Sequence, residues 1–375
     1  MAGIYIHIPF CKQACNYCDF HFSTSMKMKV DFVKAIIQEI ELRKDVFANK
    51  FISSIYFGGG TPSLLSKEEL DMIFEKLYKS FTIDADAEIT LEANPEDLNF
   101  DKILQLKDTP INRLSIGVQS FRDEDLKYMN RAHTAIEALN SIKVAQDLGF
   151  QNITIDLIYG TPGMSNEDWK YNLRKSFALN LPHISSYALT VEEKTPLYYQ
   201  ILKKNIDAVD EQQSANQFKI LMDEMLSYGY EQYEISNFCK DNSYSRHNSS
   251  YWKKNHYLGL GPSAHSYFGN SRLWNVSNNV KYIKALSASR LPLSKENLNT
   301  QDMYNEYVMT SLRTKWGCSL IEIEKDYSRS YLNYFKVQIK GHEINGYIIE
   351  NKGVYTLSEK GKLIADRITS DLFVI

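Results

Sequence analysis

From residue 4 to about residue 236 the chain repeats one pattern, a short run of β-branched or aromatic residues followed by a longer segment of helical period. Side chains alternate faces along a strand and return every ~3.6 residues along a helix, so this alternation specifies a parallel sheet covered by crossover helices. Six runs qualify as strands, at 4–8, 53–57, 88–92, 113–118, 153–158 and 184–189. They predict six βα units of the α/β class. Between the first two runs, Val33, Ile36, Ile37, Ile40 and Leu42 trace an apolar helix face, and Glu39, Glu41, Arg43 and Lys44 are expected to be solvated. Three strands end in loops of glycine or polar residues: Gly58-Gly59-Gly60-Thr61-Pro62, Glu92-Ala93-Asn94-Pro95 and Tyr159-Gly160-Thr161-Pro162-Gly163. Ligands of βα folds sit at the C-terminal ends of strands, so these loops mark one face as the site.

The full length of 375 residues exceeds what this pattern needs. The polar stretch 286–300 is expected to be a linker. Beyond it come helical candidates at 303–313, 320–326 and 331–345, a strand at 347–350, a turn at Asn351-Lys352-Gly353, a strand at 354–357 and a last helix from Ser358. That order predicts a winged-helix-like unit over 301–375. Its ten Lys and Arg balance its ten Asp and Glu, so it lacks the basic face of a DNA reader and is expected to be an interaction or lid module. The whole chain carries a net charge of −3, which advertises neither a nucleic acid nor an anionic membrane. No stretch approaches the roughly 18–20 apolar residues of a membrane span, and the start is not a secretory signal. A cytoplasmic protein is expected.

Cys11, Cys15 and Cys18, three of five cysteines, form C-x3-C-x2-C directly after the first strand. A disulfide framework does not look like this; thiolates gathered for a metal do. Three cysteines on a [4Fe–4S] cube leave one iron open to a non-protein ligand. A structural zinc site would need a fourth ligand, for which His21 is within reach. Cys239 and Cys318 are expected to be ordinary small hydrophobes.

C-x3-C-x2-C on a first βα loop resembles the signature of the radical S-adenosylmethionine (SAM) superfamily. The resemblance implies a partial (β/α)6 TIM-like barrel with the C-terminal winged-helix-like domain, a [4Fe–4S] cluster, and SAM chelated to its open iron. It also implies a set of SAM contacts: Gly59, Gly60 and Thr61 in the loop after the second strand, then Glu92, Gln119, Arg131 and Asp156 at or after later strand ends. Tyr5, Tyr17 and Ala188 match further positions beside SAM. His265, in Gly259-Leu260-Gly261-Pro262-Ser263-Ala264-His265, is also expected near SAM.

The whole chain is similar to the coproporphyrinogen dehydrogenase group, through strings such as Arg113-Leu114-Ser115-Ile116-Gly117-Val118-Gln119-Ser120. The dehydrogenases of that group carry C-x3-C-x2-C-x-C and a long leading segment. Here Phe20 stands at the fourth cysteine position and ten residues precede Cys11, as in the HemW-type haem chaperone branch. Arg246-His247-Asn248-Ser249-Ser250-Tyr251-Trp252 resembles that branch's HNxxYW motif and implies His247 as a haem ligand. The resulting expectation is a barrel over 1–240, a haem-binding and barrel-closing segment over 241–285, and a protein that binds haem and delivers it to haem proteins, including membrane-associated respiratory ones. Nothing in the chain forbids a homodimer. The alternative is an oxygen-independent coproporphyrinogen III dehydrogenase.

Overall fold

The computed structural model describes residues 2–47 and 51–375. The elements begin β1 (Ala2–Ile8), α1 (Lys29–Arg43), β2 (Ile52–Gly59), α2 (Lys67–Ser80), β3 (Ile83–Ala93), α3 (Phe100–Lys107), β4 (Arg113–Gln119), α4 (Asp123–Tyr128), α5 (Ala135–Asp147), β5 (Ile153–Tyr159), α6 (Asn166–Ala178) and β6 (His183–Ala188). β1 to β6 pair side by side in chain order, all parallel. Each of the six expected strands is present, and β3 starts earlier than its apolar core suggests.

Strand parity explains the barrel. In β4, Leu114, Ile116 and Val118 are fully buried, whereas Arg113, Ser115, Gly117 and Gln119 line the central cavity. One face therefore packs on helices and the other is free for polar chemistry. Helix starts are fixed by capping boxes at Ser66, Thr134 and Ser165, each closed by an acidic residue three positions on.

Both sheet edges carry strands beyond the six. After α7 (Pro196–Leu202) and α8 (Glu211–Ser227), β7 (Glu231–Glu234) and β8 (Asn237–Cys239) form a hairpin whose second strand lies antiparallel to β6. Then α9 (Arg246–Trp252) leads to β9 (His256–Leu260), which is parallel to β1 on the opposite edge. β10 (His265–Phe268), β11 (Ser271–Asn275), α10 (Asn279–Ser287) and β12 (Leu293–Asn297) follow, and the three strands extend that edge antiparallel. The stretch 286–300 thus contains the edge strand β12 instead of being only a linker. Its side chains are mostly exposed, so β12 shows no apolar alternation and looks like a loop in sequence.

The polar face expected of α1 also needs correction. Glu39 and Arg43 are buried while Leu42 is exposed. Glu39 accepts hydrogen bonds from the Gly261 amide at 2.9 Å, Asn275 Nδ2 at 2.8 Å and the Tyr282 hydroxyl at 2.6 Å. Arg43 pairs with Glu39 at 3.3 Å and donates to the Gly259 carbonyl at 2.8 Å and Ser266 Oγ at 3.1 Å. Two charges are tolerated in the interior because each is paired and hydrogen-bonded, and together they tie α1 to the turn joining β9 to β10.

The C-terminal unit comprises α11 (Thr300–Leu312), β13 (Cys318–Ser319), α12 (Leu320–Tyr327), α13 (Arg329–Ile344), β14 (Ile348–Asn351), β15 (Val354–Leu357), α14 (Glu359–Lys362) and α15 (Ala365–Asp371). Its three strands form a small antiparallel sheet, and its core of Tyr304, Val308, Leu312, Phe335 and Ile368 is its own. Ion pairs Arg313–Glu234 and Lys315–Glu231 hold it to β7. Cys239 and Cys318 are buried.

Candidate functional site

A cavity of about 420 Å³ opens where the strands end. Cys11, Cys15, Cys18, Tyr17, Gly59, Gly60, Thr61, Glu92, Gln119, Arg131, Asp156 and Ala188 all line it. The loop that carries the cysteines is pinned along its length. The Cys11 amide donates to the Ser23 carbonyl at 3.1 Å, the Asn16 amide to Met129 O at 3.1 Å, and Asn130 Nδ2 to Ala14 O at 2.7 Å.

Gly59 adopts φ +105°, and a Cβ there would meet His7 Nδ1 at 2.4 Å. A Cβ on Gly60 would strike the Phe10 carbonyl at 2.6 Å, so this stretch of backbone accepts only glycine. Glu92 braces it by accepting from the Gly59 amide at 3.1 Å and the Tyr56 hydroxyl at 2.8 Å. Burial pushes the Glu92 carboxyl up to about 7 and the Asp156 carboxyl up to about 6. Arg131 reaches Cys15 Sγ at 3.3 Å, Asn94 Oδ1 at 2.6 Å and the Gly117 carbonyl at 2.8 Å, and leaves its buried Nε without a partner. Gln119 holds φ +65° at the strand end, where a short β-bulge turns its side chain to the cavity.

Three expected residues lie elsewhere. Tyr5 lines a second cavity of about 590 Å³, together with His7, Asp19, Phe20, His21, Phe22, Tyr251, Tyr257, Ser263, His265 and Ser277. The segment Asp19, Phe20 and Phe22 is wall to both cavities. His265, expected near SAM, lines the second cavity and not the first, because β10 continues the sheet outward from β9. His247 lines neither. It is fully buried near the start of the strands, stacked on Tyr56 at 5.1 Å, with Nδ1 2.9 Å from Ser54 Oγ and Nε2 2.8 Å from the Tyr251 hydroxyl. Burial lowers its pKa to about 3, so the ring is neutral with both nitrogens engaged. The amides of Arg246 and His247 both donate to Glu88 at 3.0 Å, which seats the start of α9 inside the barrel.

Comparison with known proteins matches residues 5–175 to the radical SAM superfamily. A Bacillus subtilis protein named heme chaperone HemW is 33% identical over 371 residues, covering 98% of each chain. Its Escherichia coli counterpart of the same name is 30% identical, covering 98% of this chain and 96% of its own. The chain belongs to the HemW family of the radical SAM superfamily. Escherichia coli coproporphyrinogen III oxidase (HemN), a radical SAM enzyme, matches the HemW-family chain with a TM-score of 0.86 over 100% of this chain and 90% of its own, at 24% identity. That likeness is one of fold.

The donor set of this HemW-family chain suits a cluster better than zinc. A cube places each cysteine on a different iron, so three thiols spread along one cavity wall are what it requires. Zinc needs a fourth ligand at the same point, yet His21 lines the second cavity and not the one lined by the three cysteines. Sequence reasoning missed Arg113, Asn94 and Asn248, which also line the first cavity. Arg113 is buried with Nη1 unpartnered, and it lies among Glu88, Glu92 and Asp156 as their shared cation. The parity of β4 was the available signal, since Arg113 falls on the same face as Gln119.

Proposed function

We propose that this protein is a cytoplasmic haem chaperone. It binds haem and hands it to haem proteins, on a scaffold that holds one [4Fe–4S] cluster through Cys11, Cys15 and Cys18, with SAM over the strand ends. The family's relatives named heme chaperone support the reading. The observation that carries it is Phe20, a residue 66% exposed at the rim shared by both cavities. The resemblance puts a fourth cysteine there in the dehydrogenases; here an aromatic ring stands at the cavity rim instead, and covering it with the apolar face of a ligand would remove its surface from water.

A [4Fe–4S] cluster held by Cys11, Cys15 and Cys18 would supply the one-electron chemistry of the superfamily toward SAM. The residues around it bind and orient. Arg131 keeps its Nε free for a carboxylate oxygen while its other nitrogens hold Asn94 and the Gly117 carbonyl in place. Gly59 and Gly60 let backbone amides come close to a ligand amino or carboxylate group, and Asp156 offers acceptors for ribose hydroxyls. Glu92 has both oxygens engaged and acts as the brace of the glycine loop.

The test is anaerobic reconstitution of the cluster followed by haemin titration, with coproporphyrinogen III, SAM and a reductant assayed in parallel. Stoichiometric haem binding without turnover is expected. Turnover at enzymatic rates would establish the dehydrogenase instead, and absence of haem binding would end the chaperone reading.

A further inference from the structure

Resting on the haem-binding reading, we propose that haem occupies the second cavity and that His265, not His247, is its iron ligand. The cavity has the wall a porphyrin needs. Tyr5, Phe20, Phe22, Tyr251 and Tyr257 line a space of about 590 Å³, within the ~300–1,000 Å³ typical of small-molecule sites. It is open to solvent on one side, which suits a cargo that must leave.

Iron ligation by histidine requires a neutral imidazole with an uncommitted lone pair. The histidines of this region differ on that point. His7 donates Nε2–H to the His21 carbonyl at 2.8 Å and receives the Tyr5 hydroxyl on Nδ1 at 3.2 Å. His21 is held through Nε2 by Asn279 and lies stacked against His7 at 6.2 Å, so only its Nδ1 is open and its ring is fixed by those two contacts. His247 has both nitrogens hydrogen-bonded. Among the described residues lining the cavity, His265 is the one histidine with both ring nitrogens open. Its ring lies parallel to Trp274 at 6.0 Å and 21°, which fixes the plane in which it is presented. Partial burial of this otherwise exposed ring, with Arg272 nearby, lowers its pKa and favours the neutral form that ligates. Burial holds the phenols of Tyr251 and Tyr257 protonated, which disfavours them as phenolate ligands.

The fold also supports His265 from behind. The Gly261 turn that begins the approach to β10 adopts φ +97° and hangs from Glu39, and Arg43 holds Gly259 O and Ser266 Oγ on either side of His265. The buried α1 pair that no sequence pattern announced is thereby a positioning device for this ligand. His247 acts through Tyr251: their 2.8 Å hydrogen bond holds that ring in the cavity wall. The aromatic segment of α9 thus shapes the pocket while β10 supplies the bond to iron.

The experiment titrates haemin into the purified full-length chain and reads the Soret band together with the iron–histidine signature by electron paramagnetic resonance and resonance Raman spectroscopy. Wild type is expected to show histidine ligation. His265→Ala should lose the signature and bind at least tenfold more weakly, and added imidazole should restore the spectrum; since His265 is exposed, its removal leaves the fold intact. Retention of the signature in His265→Ala, or its loss in His21→Ala or His247→Ala with retention in His265→Ala, overturns the assignment while haem binding itself stands. Failure of wild type to bind haemin overturns the haem reading, and the ligand assignment with it.

Discussion

The two cavities share the wall formed by Asp19, Phe20 and Phe22, yet they are built on opposite principles. In the first, polar side chains from β3, β4 and β5 hold one another in fixed positions: Glu92 braces Gly59, and Arg131 spans Cys15, Asn94 and Gly117. In the second, the rings of Tyr5, Phe20, Phe22, Tyr251 and Tyr257 share the wall with His7, Asp19, His21 and His265, and the His247–Tyr251 and Glu39–Gly261 hydrogen bonds support it from outside the lining. The first is a preorganised cradle for charged groups. The second combines aromatic faces with imidazoles and one carboxylate and is less tightly cross-linked. The difference teaches that side chains tied together across strand ends make a fixed polar cradle, whereas a wall gathered from β1, the cysteine loop, α9, β9 and β10 leaves its rings and His265 facing the cavity.

The largest expected effect separates the cavities outright. Cys15 lies only on the first, so Cys15→Ala should abolish the cluster's visible absorption after anaerobic reconstitution, with haemin binding to the second cavity retained within a few fold. An intact cluster spectrum in Cys15→Ala would refute the ligand assignment. Joint loss of cluster and haem binding would show that the shared wall makes the cavities one site.

Next comes the support of the second cavity. Glu39→Ala leaves the Gly261 amide, Asn275, the Tyr282 hydroxyl and the Arg43 charge without their common partner. Removing one member of a buried pair costs roughly 3–5 kcal/mol, so thermal unfolding should move down strongly. If the comparison holds, residual folded protein keeps its cluster and loses haem affinity; a variant with unchanged melting temperature would mean that the network is not coupled to the fold.

Much of this was legible in sequence. The six parallel strands follow from period, and the cysteine and glycine loops from spacing, because those signals are local. The edge strands β9 to β12 were not, since Leu293–Asn297 is exposed and has no apolar alternation to show. Glu39 and Arg43 look like any solvated i, i+4 ion pair, and their partners at Gly261, Asn275 and Tyr282 lie more than two hundred residues away. Likewise, a histidine beside Tyr251 and Trp252 suggests a ligand until the fold shows both its nitrogens engaged by Ser54 and Tyr251. Local motifs located the loops well and gave no sign of side-chain contacts wherever the partner came from a distant strand.

The smallest expected effect concerns the brace of the first cavity and is a pH dependence. Burial raises Glu92 from its ordinary 4.5 to about 7, so the folded state binds this proton more tightly than the unfolded chain does. A raised acid pKa means that its contribution is fully present below about 4.5, is lost progressively as pH rises toward 7, and changes no further above that. The span corresponds to something on the order of 3 kcal/mol if Glu92 titrates alone, and less where Asp156, itself raised to about 6, shares the charge. Glu92→Gln removes this titration but keeps an acceptor for Gly59 or Tyr56. The difference in melting temperature between Glu92→Gln and wild type should therefore shift in favour of the variant as pH rises from about 4.5 to about 7. The buried histidines His7 and His247 titrate identically in both proteins and cancel from the difference. A difference independent of pH would mean that Glu92 is already ionised in the fold, with Arg113 neutralising it, and the first cavity would then hold a fixed negative charge where the brace was expected to be protonated.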